Sequence, residues 1–308
     1  TDKVGFGIIR RGKVMKNLLL ASTALVLSAG IANAQAVSIG GEGRMGIQGR
    51  DTGGGWTWMQ ENRLQFNFSV SVQGDHGLTF GAYSRARIQA SATNTFGESR
   101  VWVESNGLRL TFGNNDGAFR GAGVSHGYAG GCGVGYEGGQ QCGDSAGLLS
   151  VTQAHNSTGQ HNNVVTGLPG TGRARIDYTM GDTRVALSHD RNGSTEFGIR
   201  SSFDAFTVAL GYTNNGGAAS AFQSVWALSG YYNGGSWGVG AVVANGNSVT
   251  NYSLSASAQL GGGKLYGYVG RVGGANTYGL SYGYGLGGGA TATIGAERVG
   301  TTTTASVG

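Results

Sequence analysis

Residues 63–73 read Arg-Leu-Gln-Phe-Asn-Phe-Ser-Val-Ser-Val-Gln, with apolar side chains at every second position (Leu64, Phe66, Phe68, Val70, Val72) and polar ones between them. Successive side chains of a strand point to opposite faces, so this segment has one apolar wall and one polar wall. A helix would need its apolar residues three and four apart, and the spacing here is two. Tilted, such a run also suffices to cross a bilayer, for which about 9–11 residues are needed. One edge of a soluble sandwich would look the same, so the choice rests on whether the pattern recurs.

It recurs to the end of the chain. Alternating segments are expected at 37–48, 61–73, 77–91, 98–105, 108–114, 171–180, 183–190, 195–202, 205–213, 222–232, 236–245, 249–260, 264–271, 276–286, 290–298 and 301–308, sixteen in all. A Gly-rich loop carrying Trp56 and Trp58 is expected between the first two. Very short connections (Asn106-Gly107, Gly181-Asp182, Gly234-Gly235, Gly287-Gly288) alternate with longer, more polar ones. The parity that carries the apolar residues also carries Phe66, Phe68, Phe80, Phe112, Tyr178, Phe206, Tyr212, Trp226, Tyr252, Tyr278 and Tyr282. In 265–269 the parity is ambiguous. Turns short at one end, loops long at the other and aromatics on the outer face are the pattern of a transmembrane antiparallel β-barrel. Composition agrees: 62 of 308 residues are Gly and 12% are charged, against roughly 25% charged in soluble domains.

The N-terminal stretch reads as a secretory signal at 15–34: Met15 and Lys16, an apolar core at 18–27, and the small residues Ala32-Asn33-Ala34 before the cut. Residues 1–14 are read as upstream read-through, and 35–308 as the barrel. Of 21 basic and 16 acidic residues, five and one lie in 1–34, which leaves 16 against 15 in the mature part. The basic pI therefore argues for no nucleic-acid partner.

The polar parity carries the candidate lining of the lumen: Arg44, Arg63, Arg85, Arg87, Arg100, Arg109, Arg173 and Arg175, with the acids Glu42 and Glu104. Asp177, Arg184, Asp190, Glu196 and Arg200 share that face. Arginine keeps its charge and is disfavoured in lipid, so these belong in water. The bland reading is a solvated wall with neighbouring ion pairs; the sharper one is a basic wall that sorts solutes by charge. The long stretch 116–170 interrupts the rhythm and could fold inward, bringing the acids Asp116, Glu137 and Asp144. Cys132 and Cys142 lie within it, and in an oxidising compartment they are disulfide candidates; free thiols, or a metal site with His126, are the alternatives. Gly133-Val134-Gly135-Tyr136-Glu137-Gly138 matches a dinucleotide fingerprint, but in so Gly-rich a chain such matches arise by chance. No nucleophile–His–acid arrangement stands out.

The leader, the run Ser38-Ile39-Gly40-Gly41-Glu42-Gly43-Arg44-Met45-Gly46, and Leu110-Thr111-Phe112-Gly113-Asn114 leading to Asp116-Gly117-Ala118-Phe119 resemble the general porins of the alphaproteobacterial, Rhodobacter-type kind. The likeness spans nearly all of the mature chain and is strongest over 36–120. It implies a sixteen-stranded barrel in the bacterial outer membrane, a homotrimer, a third external loop folded into the pore, and passive diffusion of small hydrophilic solutes and ions. The implied partners are outer-membrane lipid, further copies of the chain and those solutes. No enzyme activity and no cofactor are implied; some members hold calcium in their loops, but this Gly-rich connection is poor in acids. Such porins end in an aromatic residue, whereas this sequence stops at Val307-Gly308. A few C-terminal residues are therefore expected to be missing, and the last segment to be too short to cover the first. A substrate-specific outer-membrane channel or a barrel adhesin is the next reading. A Gly-rich solenoid is the third, weakened because no fixed repeat appears.

Overall fold

The computed structural model describes residues 36–89, 96–121, 133–135, 143–148, 172–191, 193–214, 224–246 and 248–308. They form sixteen strands: β1 (Ala36–Asp51), β2 (Trp56–Gln73), β3 (Thr79–Gln89), β4 (Phe96–Ser105), β5 (Leu108–Gly113), β6 (Arg173–Met180), β7 (Thr183–Asp190), β8 (Thr195–Phe203), β9 (Phe206–Asn214), β10 (Ser224–Asn233), β11 (Trp237–Gly246), β12 (Val249–Leu260), β13 (Gly263–Val272), β14 (Ala275–Gly287), β15 (Ala290–Val299) and β16 (Thr302–Val307). Each strand pairs antiparallel with its neighbours in sequence, and β16 returns to β1, so the sheet is a closed barrel. Closure leaves no sheet edge for lipid to meet, the condition for a strand protein to span a bilayer.

The seam is short. β1 meets β16 from Ile47↔Val307 to Asp51↔Thr303, whereas it meets β2 from Ala36↔Ser71 to Asp51↔Trp56. β2 begins earlier than the sequence suggested. Trp56 and Trp58, expected in a loop, are strand residues stacked 5.3 Å apart. Their rings lie over Gly49 of β1, whose missing side chain leaves them room.

Alternation sorts the two faces. Ile39, Phe66, Phe80, Phe112, Ile176, Leu210, Leu254 and Leu280 stay exposed on the outside. The opposite parity carries the polar and charged set. In β13, where the sequence was ambiguous, Leu265 and Val269 take the outer parity while Tyr266 and Tyr268 are buried on the inner one. The expected contrast of short and long connections holds early and fades late. From β12 onward the turns are tight at both ends, built on Gly261-Gly262, Gly273-Gly274 and Gly300.

Candidate functional site: the interior wall and the β5–β6 connection

The interior wall is not uniform. On β1 to β8 it carries Glu42, Arg44, Arg63, Arg85, Arg87, Arg100, Glu104, Arg109, Arg173, Arg175, Asp177, Arg184, Asp190, Glu196 and Arg200. On β9 to β12 the same parity holds Ala209, Val225, Ala227, Val242, Ala244, Asn251, Ser253 and Ser255, none of them charged. Charge returns to it at Lys264 on β13 and Glu297 on β15.

Described pieces of the β5–β6 connection pack against this wall. β5 ends at Gly113, whose φ of +120° favours glycine and where a Cβ would run into the carbonyl of Ser99. The next amide, Asn114 N–H, donates to that carbonyl at 2.9 Å, fixing the direction in which the chain leaves the sheet. Arg173 and Arg175 then donate to the carbonyls of Asn115 and Asp116 at 2.8 and 2.7 Å. The helical turn Ala118–Gly121 follows. Ala118 N–H donates to Ser188 Oγ at 2.8 Å and Phe119 N–H to Glu196 Oε2 at 3.0 Å. Arg173 also bridges Asp190 at 3.2 Å and Glu196 at 3.3 Å, all three side chains being almost wholly buried. Phe119, Ala146 and Leu148 form one buried cluster with Ala209, Val225, Ala227, Val242 and Ala244. These side chains form an apolar cluster on the inner parity of β9 to β11.

Further along, the connection reaches strands on the other side of the sheet. Asp144, in the 3-10 turn Gly143–Ser145, accepts from Gly133 N–H and from the Tyr266 hydroxyl, each at 2.7 Å. Burial pushes the Asp144 carboxyl above its ordinary value, and those two donors only partly offset it. Ser281 Oγ donates to the Gly133 carbonyl at 2.8 Å, and Asn251 Nδ2 to the Ala146 carbonyl at 3.1 Å. Tyr268 donates to Glu297 Oε2 at 2.8 Å, and Gly143 N–H approaches the same oxygen at 3.4 Å. Val134 is buried with Tyr266 and Tyr268.

Two residues expected to line an open lumen do not face one. Asp144 is 4% exposed, because its turn is pressed onto β12 to β15 and its carboxylate is used to hold it there. Arg173 is buried within its own ion-pair cluster. Asp116 keeps an open side chain and lies 3.7 Å from Arg120. Arg44 pairs with Glu42 at 2.8 Å, Arg63 lies 3.9 Å from Glu61, and Arg109 lies 3.7 Å from Glu104. Arg175 and Arg184 share Asp177, Arg175 at 2.8 Å. Arg87 donates twice to Gln65 Oε1, at 2.9 and 2.7 Å. Arg85 sits on β3 beside Asn67. Glu137, Cys132 and Cys142 lie outside the described residues.

The sequence reading missed the aromatic residues of the inner face: Tyr83, Trp102, Tyr231, Tyr266 and Tyr268. For Trp102 the signal was present, since it stands two residues from both Arg100 and Glu104 and so shares their parity.

A closed barrel with an apolar exterior and a charged interior defines a membrane-spanning channel protein. The chain belongs to the Gram-negative porin family, whose profile matches residues 21–304. No curated protein matches the sequence. Among solved structures it is similar to two engineered variants of Rhodopseudomonas blastica porin, with TM-scores of 0.75 and 0.74. Each is 20% identical and aligns over 88% of this chain and 98% of the porin. A further one, described under asymmetric conductivity of engineered proteins, is 21% identical with a TM-score of 0.75 over the same shares. The protein is an outer-membrane channel for passive diffusion.

Proposed function

We propose that the chain is a general diffusion porin of the alphaproteobacterial kind, in which the β5–β6 connection lies inside the lumen and narrows it. The observation that carries this reading is the docking of Phe119, Val134, Asp144, Ala146 and Leu148 on the inner parity of β7 to β15. A connection held against β6 to β15 leaves the passage along β1 to β5, where Arg44, Arg63, Arg85, Arg87, Arg100 and Arg109 lie. Passage is then passive, needs no cofactor, and involves no bond making.

Assembly as a homotrimer belongs to the same reading. Gln60 and Asn62 are exposed on the outer parity beside Met45 and Ile47. Amides in that position gain from a protein neighbour what lipid cannot offer.

The test is a planar-bilayer measurement on purified, detergent-extracted protein with potassium chloride at unequal concentrations on the two sides. Stepwise ohmic openings in units of three and a weak anion preference are expected. A folded protein that forms no openings sinks the diffusion-channel reading, and saturable passage of one solute class alone favours a substrate-specific channel.

A further inference from the structure

The inner faces of β3, β4 and β5 carry a second aromatic feature, away from the described pieces of the connection. Trp102 lies flat on the wall over Gly81, where its ring fills the space a Cβ would need, so any larger residue at 81 would lift the indole. The guanidinium of Arg109 lies on that ring, its Cζ 4.2 Å from the centroid. One strand further, the Arg100 guanidinium lies over Tyr83 at the same 4.2 Å. Tyr83 is itself fixed, because its hydroxyl donates to Asn67 Oδ1 at 2.8 Å, and Gln65 Nε2 reaches that oxygen at 3.1 Å. Gln65 is in turn gripped by Arg87. Pairing places the rings diagonally on the sheet, since Gly81 is opposite Trp102 and Tyr83 opposite Arg100.

Among the described residues, neither arginine donates a hydrogen bond to an acid. Arg109 lies 3.7 Å from Glu104, beyond hydrogen-bond reach, and faces Asp177 across the β5–β6 pairing; its Nε is buried, so its terminal N–H groups are the edge it can offer. Arg100 makes no ion pair with any described residue. A guanidinium that rests its face on a ring keeps its edge N–H groups free, and those match the two oxygens of a carboxylate. An arginine hydrogen-bonded into its acids, such as Arg173 or Arg175, has no such edge to offer. Fixed rings also remove much of the side-chain freedom that an anion would otherwise have to freeze.

We propose that Arg100 and Arg109, held on Tyr83 and Trp102, form a binding subsite for small carboxylates inside the lumen. Permeating organic acids pause there, so their passage is a two-step exchange while chloride moves by simple diffusion. This inference rests on the diffusion-channel reading and adds a solute class to it.

The test measures bilayer conductance of the full chain against concentration, in potassium chloride and in potassium acetate. Conductance in chloride should rise linearly and conductance in acetate should saturate. Exchanging both guanidiniums (Arg100→Gln with Arg109→Gln) should raise the half-saturating acetate concentration about tenfold or abolish saturation. Trp102→Leu keeps both charges but removes one platform, and should weaken saturation with chloride conductance retained. Arg200→Gln, an interior arginine on β8, should leave acetate saturation unchanged. Acetate conductance that is linear in the unmodified chain, or a half-saturation equal in all variants, overturns the subsite while the channel stands. Folded protein without chloride conductance overturns both.

Discussion

Arg173 shows how much one residue can carry when it is taken out of water. Its guanidinium bridges Asp190 and Glu196 and also holds the Asn115 carbonyl, so the first turn of the β5–β6 connection hangs on a buried charge. The second acid is balanced by backbone: Phe119 N–H donates to Glu196 and Ser194 N–H to Asp190. Removing the guanidinium leaves both acids uncompensated, at a cost of about 3–5 kcal/mol. Arg173→Ala is therefore expected to lower the thermal midpoint in detergent and to release the 114–121 segment, read as increased open-channel noise. Phe119→Ala acts on the same segment through packing. Phe119 is fully buried against Ala209, Val225 and Ala227, and emptying such a site costs about 3–5 kcal/mol. Its measurable outcome is an altered and noisier single-channel conductance, since the detached turn no longer stays against the wall. Unchanged conductance in a variant whose melting is lowered would show that the turn does not border the passage.

At the scale of elements, the same docking explains which strands were readable in the sequence. Strands β2 to β7 alternate sharply because their two faces meet different surroundings, lipid and water, and residues such as Phe66 and Asn67 record this. On β9 to β13 the inner face is covered by the connection, so Ala209, Val225, Val242, Tyr266 and Tyr268 are apolar or aromatic on the side that should read polar. Alternation of polarity fades where one face meets lipid and the other the docked connection, which is why 265–269 gave no parity and why the docking surface itself was invisible. The role of Asp144 was misread for a related reason: a lone acid in a Gly-rich stretch looks solvated until Tyr266 is brought to it from 122 positions away. Its chemistry gives a pH test. The ordinary carboxylate value of 3.8 applies once the segment leaves the wall, and the docked value is higher. Docking is thus strongest below the ordinary value and weakens as pH rises through the docked one. Tyr266, Tyr268 and Glu297 are the titratable groups facing this turn. Channel noise should grow with rising pH across that window, and Asp144→Asn should remove the Asp144 part of the trend. A trend of equal size in the variant would show that Asp144 does not carry it.

For the whole molecule, closure and parity together make claims that labelling can check. In a background without Cys132 and Cys142, single cysteines at Ser69 and Ser71 should react with a water-soluble maleimide in membranes, while those at Phe68 and Val70 should be spared. The reverse would mean the register of β2 is displaced by one. Charge makes a second claim. Arg85 and Arg87 share the inner wall with Arg100 and Arg109, and salt screens such fields within about 8–10 Å. Anion preference should accordingly be modest, greatest in dilute salt, and reduced by Arg85→Gln with Arg87→Gln. A clear cation preference in the unmodified chain would place the passage elsewhere. The anchors of the connection also differ in reach. Its near hooks are on β6 to β8, but its far hooks are Asn251, Tyr266, Ser281 and Glu297, 105 to 154 positions from the groups they hold. Contacts of such separation carry a large loop-closure cost unless the sheet has already brought their ends together. The far end of the connection is therefore only as secure as the pairing of β12 to β15, and a change that loosens those strands frees it without touching it.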